Sequence, residues 1–144
     1  MDTRSTVSLY HTTVRWTDHR KDTMSCEGKP NMEVATPPEF KGHEGIWSPE
    51  DLFVASANIC LMTTFIAVGE RAGFAFSVYE STAEGRLELV EGTFQFTAIT
   101  IRPTITLESN ADAARAKDLI EKAEANCLIS NSMNANVTVE TVIH

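Results

Sequence analysis

The chain has 144 residues, of which 42% are hydrophobic and 22% are charged, and its formal net charge is −8 at pH 7. This length suits a single domain, residues 1–144, or one subunit whose core is completed by a partner. The acidic balance argues against nucleic acid and anionic membranes as partners, and no unbroken apolar run reaches about 18 residues, so we expect no membrane-spanning helix.

The N-terminal part predicts a β-hairpin. The first residues lead into alternating Thr and Val rather than a secretory apolar core, so we expect a cytoplasmic protein. β-Branched residues alternate over 5–16 and predict a strand. Residues 17–30 are charged and turn-rich, and 31–36 predict a second short strand. The segment 5–36 is therefore predicted to be one long hairpin, which Pro37 and Pro38 end.

A helix is predicted to start at Ser48-Pro49-Glu50-Asp51. Ser48 is a good N-cap, Pro49 suits the first helical position, and Asp51 stands at the capping-box position. The helix is apolar on nearly every face from residue 52 to 68, and Gly69 or Gly73 is expected to end it. A helix of this kind is buried all round, so we expect a sheet on one side and a second subunit on the other.

The remaining segments predict a second hairpin, a second helix and a last strand. Residues 74–89 and 94–107 alternate like strands and are joined by a turn at 91–93. Pro103 predicts an edge position or a bulge. Asn110 is the predicted cap of a helix whose apolar stripe ends at Cys127, and residues 136–143 form the last strand. The predicted order is β-β-α-β-β-α-β.

Two of the three cysteines lie where helix geometry can bury them. Cys60 alone is more typical of a small buried hydrophobic side chain than of a reactive group, and Cys127 is similar, although a polar run follows it. Cys26 lies in a charged turn region and is interpreted as incidental. The cysteines form neither a CxxC motif nor a zinc-ligand pattern, so no metal site is predicted. A permanent disulfide is not expected in a reducing compartment.

Two motifs together resemble the OsmC/Ohr family. One is Ser48-Pro49-Glu50-Asp51-Leu52-Phe53 followed by Cys60, and the other is Cys127-Leu128-Ile129-Ser130-Asn131. The predicted order of elements also resembles this family, over almost the whole chain. The resemblance implies an α+β, OsmC-like fold, in which antiparallel sheets of an intertwined homodimer wrap around two central helices. Two departures are Leu128, where the family usually has proline, and Asn58-Ile59, where it usually has small residues.

The family resemblance implies a thiol-dependent peroxidase that reduces organic hydroperoxides. In that case Cys60 is the peroxidatic cysteine and Cys127 the resolving one. Glu50 matches the family's helix-start glutamate, and Arg20 falls where its active-site arginine lies, at the bend of the first hairpin. The position of the arginine leaves three alternatives open: Lys21, Arg15 or a histidine.

The chemistry explains why these residue types are expected. The peroxide is attacked by a thiolate and not by a thiol. Burial alone would raise the pKa of Cys60 and so oppose formation of the thiolate. A cation such as Arg20, oriented by Glu50, is therefore expected beside it. The resulting sulfenate would condense with Cys127, and an external thiol or dithiol would reopen the disulfide, with no cofactor.

The spacing along the first helix adds a constraint. Glu50 and Cys60 are ten residues apart, which is about 15 Å along a straight helix. An antiparallel copy of this helix from the partner subunit could bring Glu50 to Cys60. Two other functions remain open: a non-catalytic dimer that binds a small apolar ligand, and a general thiol redox partner.

Overall fold

The computed structural model describes residues 6–108 and 112–144. They group into two compact units, one ending at Leu52 and the other running Phe53–His144, and each is described by itself. The single domain expected from the sequence remains a prediction.

The first unit contains a three-stranded antiparallel sheet. Its strands are β1 (Thr13–Asp18), β2 (Lys21–Ser25) and β3 (Met32–Ala35), in the order β1-β2-β3. The simple hairpin predicted over 5–36 is therefore wrong, because the segment assigned to a turn-rich connection contains β2. All five residues of β2 are half-buried, so this strand has no alternation of polar and apolar positions that would reveal it.

The long helix α1 runs Pro49–Ala72, and its predicted start is confirmed. The Asp51 N–H donates to the Ser48 hydroxyl at 3.1 Å, and the Ser48 N–H donates to the Asp51 carboxylate at 3.0 Å. This reciprocal pair is a capping box. Gly73, with a φ of 65°, follows the last turn, and so the helix continues past Gly69 and ends at the second of the two predicted stops.

By length and composition alone, α1 is apolar enough to cross a membrane, with a mean hydropathy of 1.9. No such helix was predicted from the sequence, because polar residues such as Ser56 and Asn58 interrupt the apolar run. They leave the mean hydropathy of the segment high all the same. From Phe53 onward, however, one face of α1 packs into the hydrophobic core of the second unit, where Leu61 and Phe65 are almost wholly buried. One face of this helix is therefore a core face within the second unit.

The sheet of the second unit is built around a long antiparallel hairpin. Its strands β4 (Phe76–Val90) and β5 (Thr93–Leu107) are joined at Glu91-Gly92, where both residues have positive φ. This is the two-residue turn typical of tight hairpins. Two short strands, β6 (Asn136–Val139) and β7 (Val142–Ile143), pair in parallel with β5 on its other side.

Pro103 lies within the central strand β5, so the predicted edge position is wrong, and the register shifts of the hairpin lie elsewhere. Proline is tolerated there because β6 pairs with residues 98–101 and β7 with residues 104–105. The missing N–H of Pro103 falls between these two partner strands.

Two further helices complete the second unit, α2 (Ala113–Ala125) and α3 (Leu128–Asn131). The predicted cap Asn110 lies outside the described residues, and Asp112 is the N-cap of α2, its carboxylate accepting from the Ala114 N–H at 2.9 Å. Cys127 is the N-cap of α3. The α+β class is confirmed. The observed order of elements differs from the predicted one in that it includes strand β2 and helix α3, and the predicted last strand is divided into β6 and β7.

A glycine allows α1 to lie close to the sheet. A Cβ atom on Gly85 of β4 would stand 2.5 Å from Val54 Cγ2 and 2.8 Å from Phe96 Cε1. The Phe96 ring in turn stacks on Phe53, with ring centroids 4.9 Å apart. Gly85 therefore sets the spacing between β4 and the helix that carries Cys60.

Candidate thiol site

The structure brings Cys60 and Cys127 together. Cys60 lies in the middle of α1 and is 9% exposed, whereas Cys127 links α2 to α3 and is 1% exposed. Both are free thiols, and the Cys127 thiol lies close enough to Cys60 to lower the pKa of Cys60. The two cysteines that the sequence singled out are therefore neighbours, and their closure to a disulfide stays a prediction.

The pKa of Cys60 is below that of an ordinary thiol. Burial, the largest single influence, raises the pKa, but several hydrogen bonds to the sulfur together outweigh it. The strongest of these comes from the backbone of Ile129, and the others come from Cys127, Thr64 and the backbone of Leu128. Thr64 lies one helical turn after Cys60, with its hydroxyl oxygen 3.9 Å from the sulfur.

The pKa of Cys127 moves in the opposite direction. Burial raises it, and so do the hydrogen bond to Cys60 and the negative charge of the Cys60 thiolate, although Ser130 partly offsets this. The Ser130 hydroxyl donates to the Cys127 sulfur at 3.3 Å. The pair is therefore polarised: the pKa of Cys60 is lowered and that of Cys127 is raised, so Cys60 is the more readily ionised of the two thiols.

The first turn of α3 is one part of the site that was not predicted from the sequence. The expected counter-charge for Cys60 was an arginine, yet the backbone N–H groups of Leu128 and Ile129 lower its pKa. A backbone donor leaves no signature in side-chain identity, so composition could not reveal it. The only hint was Leu128 itself, because a proline at that position would have no N–H to donate.

A polar group on β4 accompanies the thiols. Asn58 of α1 accepts a hydrogen bond from the Ser81 hydroxyl at 2.6 Å. The nearby Tyr79 hydroxyl is buried and has no hydrogen bond of normal geometry among the described residues. The pKa of Tyr79 is raised mainly by burial and to a smaller extent by the charge of Cys127, whereas Ser81 acts to lower it. Tyr79 was not identified from the sequence.

Arg20 and Glu50 belong to the first unit. Arg20 lies in the turn between β1 and β2, at the predicted bend, and donates from Nη1 to the carbonyl oxygen of Phe40 at 3.2 Å. Glu50 lies in the first turn of α1, and its Oε1 atom is buried without a hydrogen-bond partner in the described part of the chain. Their expected association with Cys60 stays a prediction.

No group of three or more His, Cys, Asp or Glu within residues 6–108 and 112–144 is arranged to hold a metal ion. Cys26 is half-buried, and its sulfur makes a long contact of 3.9 Å with the carbonyl oxygen of Glu27.

Residues 42–142, which include both cysteines, match the family model described as OsmC-like protein. The chain belongs to the OsmC-like family. The peroxiredoxin OsmC of Escherichia coli K12 is 30% identical over 102 residues, which are 70% of this chain and 69% of the relative. Family membership thus covers the thiol pair, both helices that carry it and most of the second unit.

Solved structures share the fold. An OsmC-like protein of unknown function from Vibrio cholerae superposes with a TM-score of 0.87 at 21% identity, covering 94% of this chain and all of that one (100%). An organic hydroperoxide resistance protein from Elizabethkingia anophelis gives a TM-score of 0.76 at 25% identity, covering 96% of this chain and 97% of the other. The OsmC-like fold inferred from the motifs is confirmed.

Proposed function

We propose that this OsmC-like protein is a thiol-dependent peroxidase that reduces organic hydroperoxides in the cytoplasm through Cys60 and Cys127. The polarised thiol pair carries the proposal, because a thiolate with a lowered pKa beside a protonated thiol suits the two successive steps. The name peroxiredoxin on the Escherichia coli relative and the hydroperoxide resistance protein from Elizabethkingia anophelis support the same chemistry.

In the first step the Cys60 thiolate attacks the terminal oxygen of the hydroperoxide. An S–O bond forms and the O–O bond breaks, so that Cys60 becomes a sulfenic acid. The departing alkoxide takes a proton from solvent and leaves as an alcohol. The backbone donors of Leu128 and Ile129 keep Cys60 ionised for this attack.

In the second step Cys127 attacks the sulfur of the Cys60 sulfenic acid. The S–O bond breaks, the leaving hydroxide takes up the Cys127 proton to give water, and a disulfide forms. An external dithiol then reduces this disulfide. The proximity of the two thiols, through which each shifts the pKa of the other, supports this step. The cycle needs no metal or organic cofactor, because the two thiols and the reductant carry all the electrons.

We further propose that the active form is a homodimer in which Arg20 and Glu50 complete the site. The buried, unpartnered Oε1 of Glu50 supports this role, since a buried carboxylate oxygen requires a donor. A guanidinium paired with Glu50 is the donor that we expect, and Arg20 is the candidate. Each peroxide pocket would then be lined by residues of both subunits.

The decisive experiment measures consumption of cumene hydroperoxide and of hydrogen peroxide with dithiothreitol as reductant. We expect faster turnover with cumene hydroperoxide. Cys60→Ser should abolish turnover, whereas Cys127→Ser, mixed with peroxide without dithiothreitol, should consume one equivalent and stop at the sulfenic acid. The Cys26→Ser variant is the matched control and should behave as wild type.

The same assay separates the alternatives. A non-catalytic dimer that binds a small apolar ligand would consume neither peroxide. A general thiol redox partner would reduce protein disulfides while consuming the two peroxides at equally low rates. Either result would refute the peroxidase proposal.

A further inference from the structure

Two consecutive threonines follow Cys60 in α1, and their hydroxyls reach different parts of it. The Thr63 hydroxyl donates to the carbonyl oxygen of Cys60 at 3.1 Å. The Thr64 hydroxyl oxygen lies 3.9 Å from the Cys60 sulfur, which is within hydrogen-bond distance for an atom as large as sulfur. Thr63 is exposed, whereas Thr64 is half-buried. One threonine therefore contacts the backbone of Cys60 and the other contacts its side chain.

Helix geometry explains this division. Side chains in an α-helix lean toward the N-terminus, so Thr64, four residues after Cys60, lies over the Cys60 side chain. A helical threonine can instead turn its hydroxyl to the carbonyl oxygen four residues before it. For Thr64 that oxygen belongs to Cys60, and it already accepts the Thr63 hydroxyl and, as in any α-helix, the N–H of Thr64 itself. A carbonyl oxygen has two lone pairs, so the sulfur is the acceptor left for the Thr64 hydroxyl.

We propose that Thr64 is a positioning residue for the attack on peroxide, whose hydroxyl hydrogen-bonds the Cys60 thiolate and releases the sulfur once it is oxidised. This inference rests on the proposed function, in which the Cys60 thiolate attacks the peroxide. A thiolate has no hydrogen, so the Thr64 hydroxyl must be the donor. The release follows because a hydrogen bond to a charged acceptor is about twice as strong as one to a neutral acceptor, such as the sulfur of a sulfenic acid.

Threonine suits this role because its hydroxyl is restrained and does not titrate. The two heavy atoms on its Cβ leave few χ1 rotamers in a helix, so little rotamer freedom is lost when the hydroxyl donates. Thr64 is also among the groups that lower the pKa of Cys60, together with the backbone of Ile129 and of Leu128. Because Thr64 and Cys60 share one helix, this donor does not depend on how α3 packs.

A donor to the thiolate changes the reactivity of Cys60 in two opposing ways. Below the pKa it increases the ionised fraction, but it also makes each thiolate less nucleophilic. The first effect is larger, since one pKa unit changes the ionised fraction about tenfold and the nucleophilicity only about threefold. Removal of the Thr64 hydroxyl should therefore slow Cys60 near neutral pH, where ionisation limits the rate, and speed it in alkali, where both proteins are ionised.

The first test compares Thr64→Val, which has nearly the same shape without the hydroxyl, with wild type. Peptide mapping measures alkylation of Cys60 by iodoacetamide from mildly acidic to alkaline pH, so the result does not depend on peroxide chemistry. We expect Thr64→Val to react about threefold more slowly than wild type near neutral pH and about twofold faster in alkali. Profiles that coincide, or that differ by one constant factor at every pH, would overturn the proposal.

Two further variants assign the effect to the hydroxyl. Thr64→Ser keeps the donor and should follow the wild-type profile. Ser56→Ala is the matched control, because the Ser56 hydroxyl also lies on α1 but donates to the carbonyl oxygen of Phe53 at 2.7 Å. It should follow the wild-type profile as well. If Thr64→Ser instead behaves as Thr64→Val, the methyl group carries the effect and the proposal is wrong.

The second test asks which step Thr64 affects. Reduced protein is mixed with cumene hydroperoxide without reductant, quenched in acid at intervals, alkylated and analysed by mass spectrometry. Thr64→Val should slow loss of the Cys60 thiol about threefold near neutral pH, while the later conversion of sulfenic acid to disulfide keeps its wild-type rate. Equal slowing of both steps would indicate a general distortion of the site and contradict the proposal.

The two proposals fail separately. If cumene hydroperoxide does not oxidise wild-type Cys60 while the alkylation profiles cross as expected, the peroxidase function is wrong, but the hydrogen bond from Thr64 to the thiolate stands. If the peroxide is reduced and the profiles do not cross, the peroxidase function stands and the role of Thr64 is refuted.

Discussion

The two thiols should differ in reactivity because their pKa values move apart. Because its pKa is lowered, Cys60 loses its proton at a lower pH than an ordinary thiol does. Cys127, whose pKa is raised, keeps its proton to a higher pH. We therefore expect iodoacetamide to alkylate Cys60 roughly tenfold faster near neutral pH, since each pKa unit changes the thiolate fraction about tenfold at most. Peptide mapping over a range of pH measures both rates.

The alkylation rate of Cys60 should fall only when the pH drops below its lowered pKa. The same protein unfolded in urea is the control, in which both thiols should titrate alike and near the ordinary thiol value. A native Cys60 that titrates at or above its unfolded value would show that hydrogen bonds do not outweigh burial, and its role would then be structural.

Leu128 provides a direct test of the backbone donors. Leu128→Pro removes one N–H from Cys60, and proline is acceptable at the first position of a helix such as α3. Cys127 before it already has a φ of −71° and a ψ of 102°, which suit a residue that precedes proline. Leu128 is the smallest of the influences that lower the pKa of Cys60, so peroxide reduction near neutral pH should slow by only about two- to threefold.

The matched control for this change is Leu128→Ala, which keeps the N–H. The Leu128 side chain is 66% exposed, so the alanine variant should retain wild-type rates and the wild-type pH profile of Cys60. Identical profiles for the proline and alanine variants would mean that this N–H does not hold the thiolate.

At the residue scale, side-chain chemistry could be predicted and backbone chemistry could not. The two cysteine motifs singled out residues 60 and 127 as a pair, and the structure places them in contact. The donors from α3 depend on where a four-residue helix begins, and a helix this short has too few residues for a periodic pattern. Tyr79 was missed because the alternating pattern of a strand does not distinguish a tyrosine that lies near a thiol from a tyrosine that only packs in the core.

Two glycine substitutions should change the free energy of unfolding in opposite directions. Gly85→Ala places a Cβ against Val54 and the Phe96 ring, which have little room to move, and should lower the free energy of unfolding by about 1–3 kcal/mol. Gly69→Ala within α1 meets only the Phe74 carbonyl oxygen at 3.7 Å, and should raise that free energy by about 0.5–1 kcal/mol.

Urea denaturation of the two glycine variants, followed by circular dichroism, measures both effects. If Gly85→Ala is as stable as wild type, the approach of α1 to β4 must be looser than described. A loss of stability in Gly69→Ala would indicate that the helix is crowded at that position.

Elements with strong local signals were predicted well. Helix α1 begins where its capping box placed it, and the β4–β5 hairpin turns at its glycine. Strand β2 was missed because its half-buried residues do not alternate. Pro103 was misplaced because a sequence does not show that two short strands, rather than one long strand, pair with β5 on one side.

The dimer is the prediction that concerns the whole molecule. Ile59 on α1 is 57% exposed in the single chain, although its helix is apolar on nearly every side. Ile59→Glu should therefore weaken the proposed dimer, because it places a charge in an apolar interface, whereas Ile59→Leu should preserve it. Sedimentation velocity at micromolar concentration measures the association of each protein.

A stable wild-type monomer at that concentration would refute the dimer proposal. For a dimer, thermal stability should rise with protein concentration in the wild type and in Ile59→Leu, since folding is then linked to association by mass action. A concentration-independent midpoint would argue for subunits that fold alone.

Strand β4 also bears on how the protein stays in solution. It is 15 residues long and ends the described sheet beside β5, and a long edge of this kind is a template for aggregation that charged side chains suppress. Arg86 pairs with Glu88 at 3.1 Å, and Thr97 donates a hydrogen bond to Glu88. Thr97 and Arg86 lower the pKa of Glu88. The Glu88 carboxylate therefore keeps its charge to lower pH than an ordinary carboxylate, and this charge helps to protect the strand edge from self-assembly.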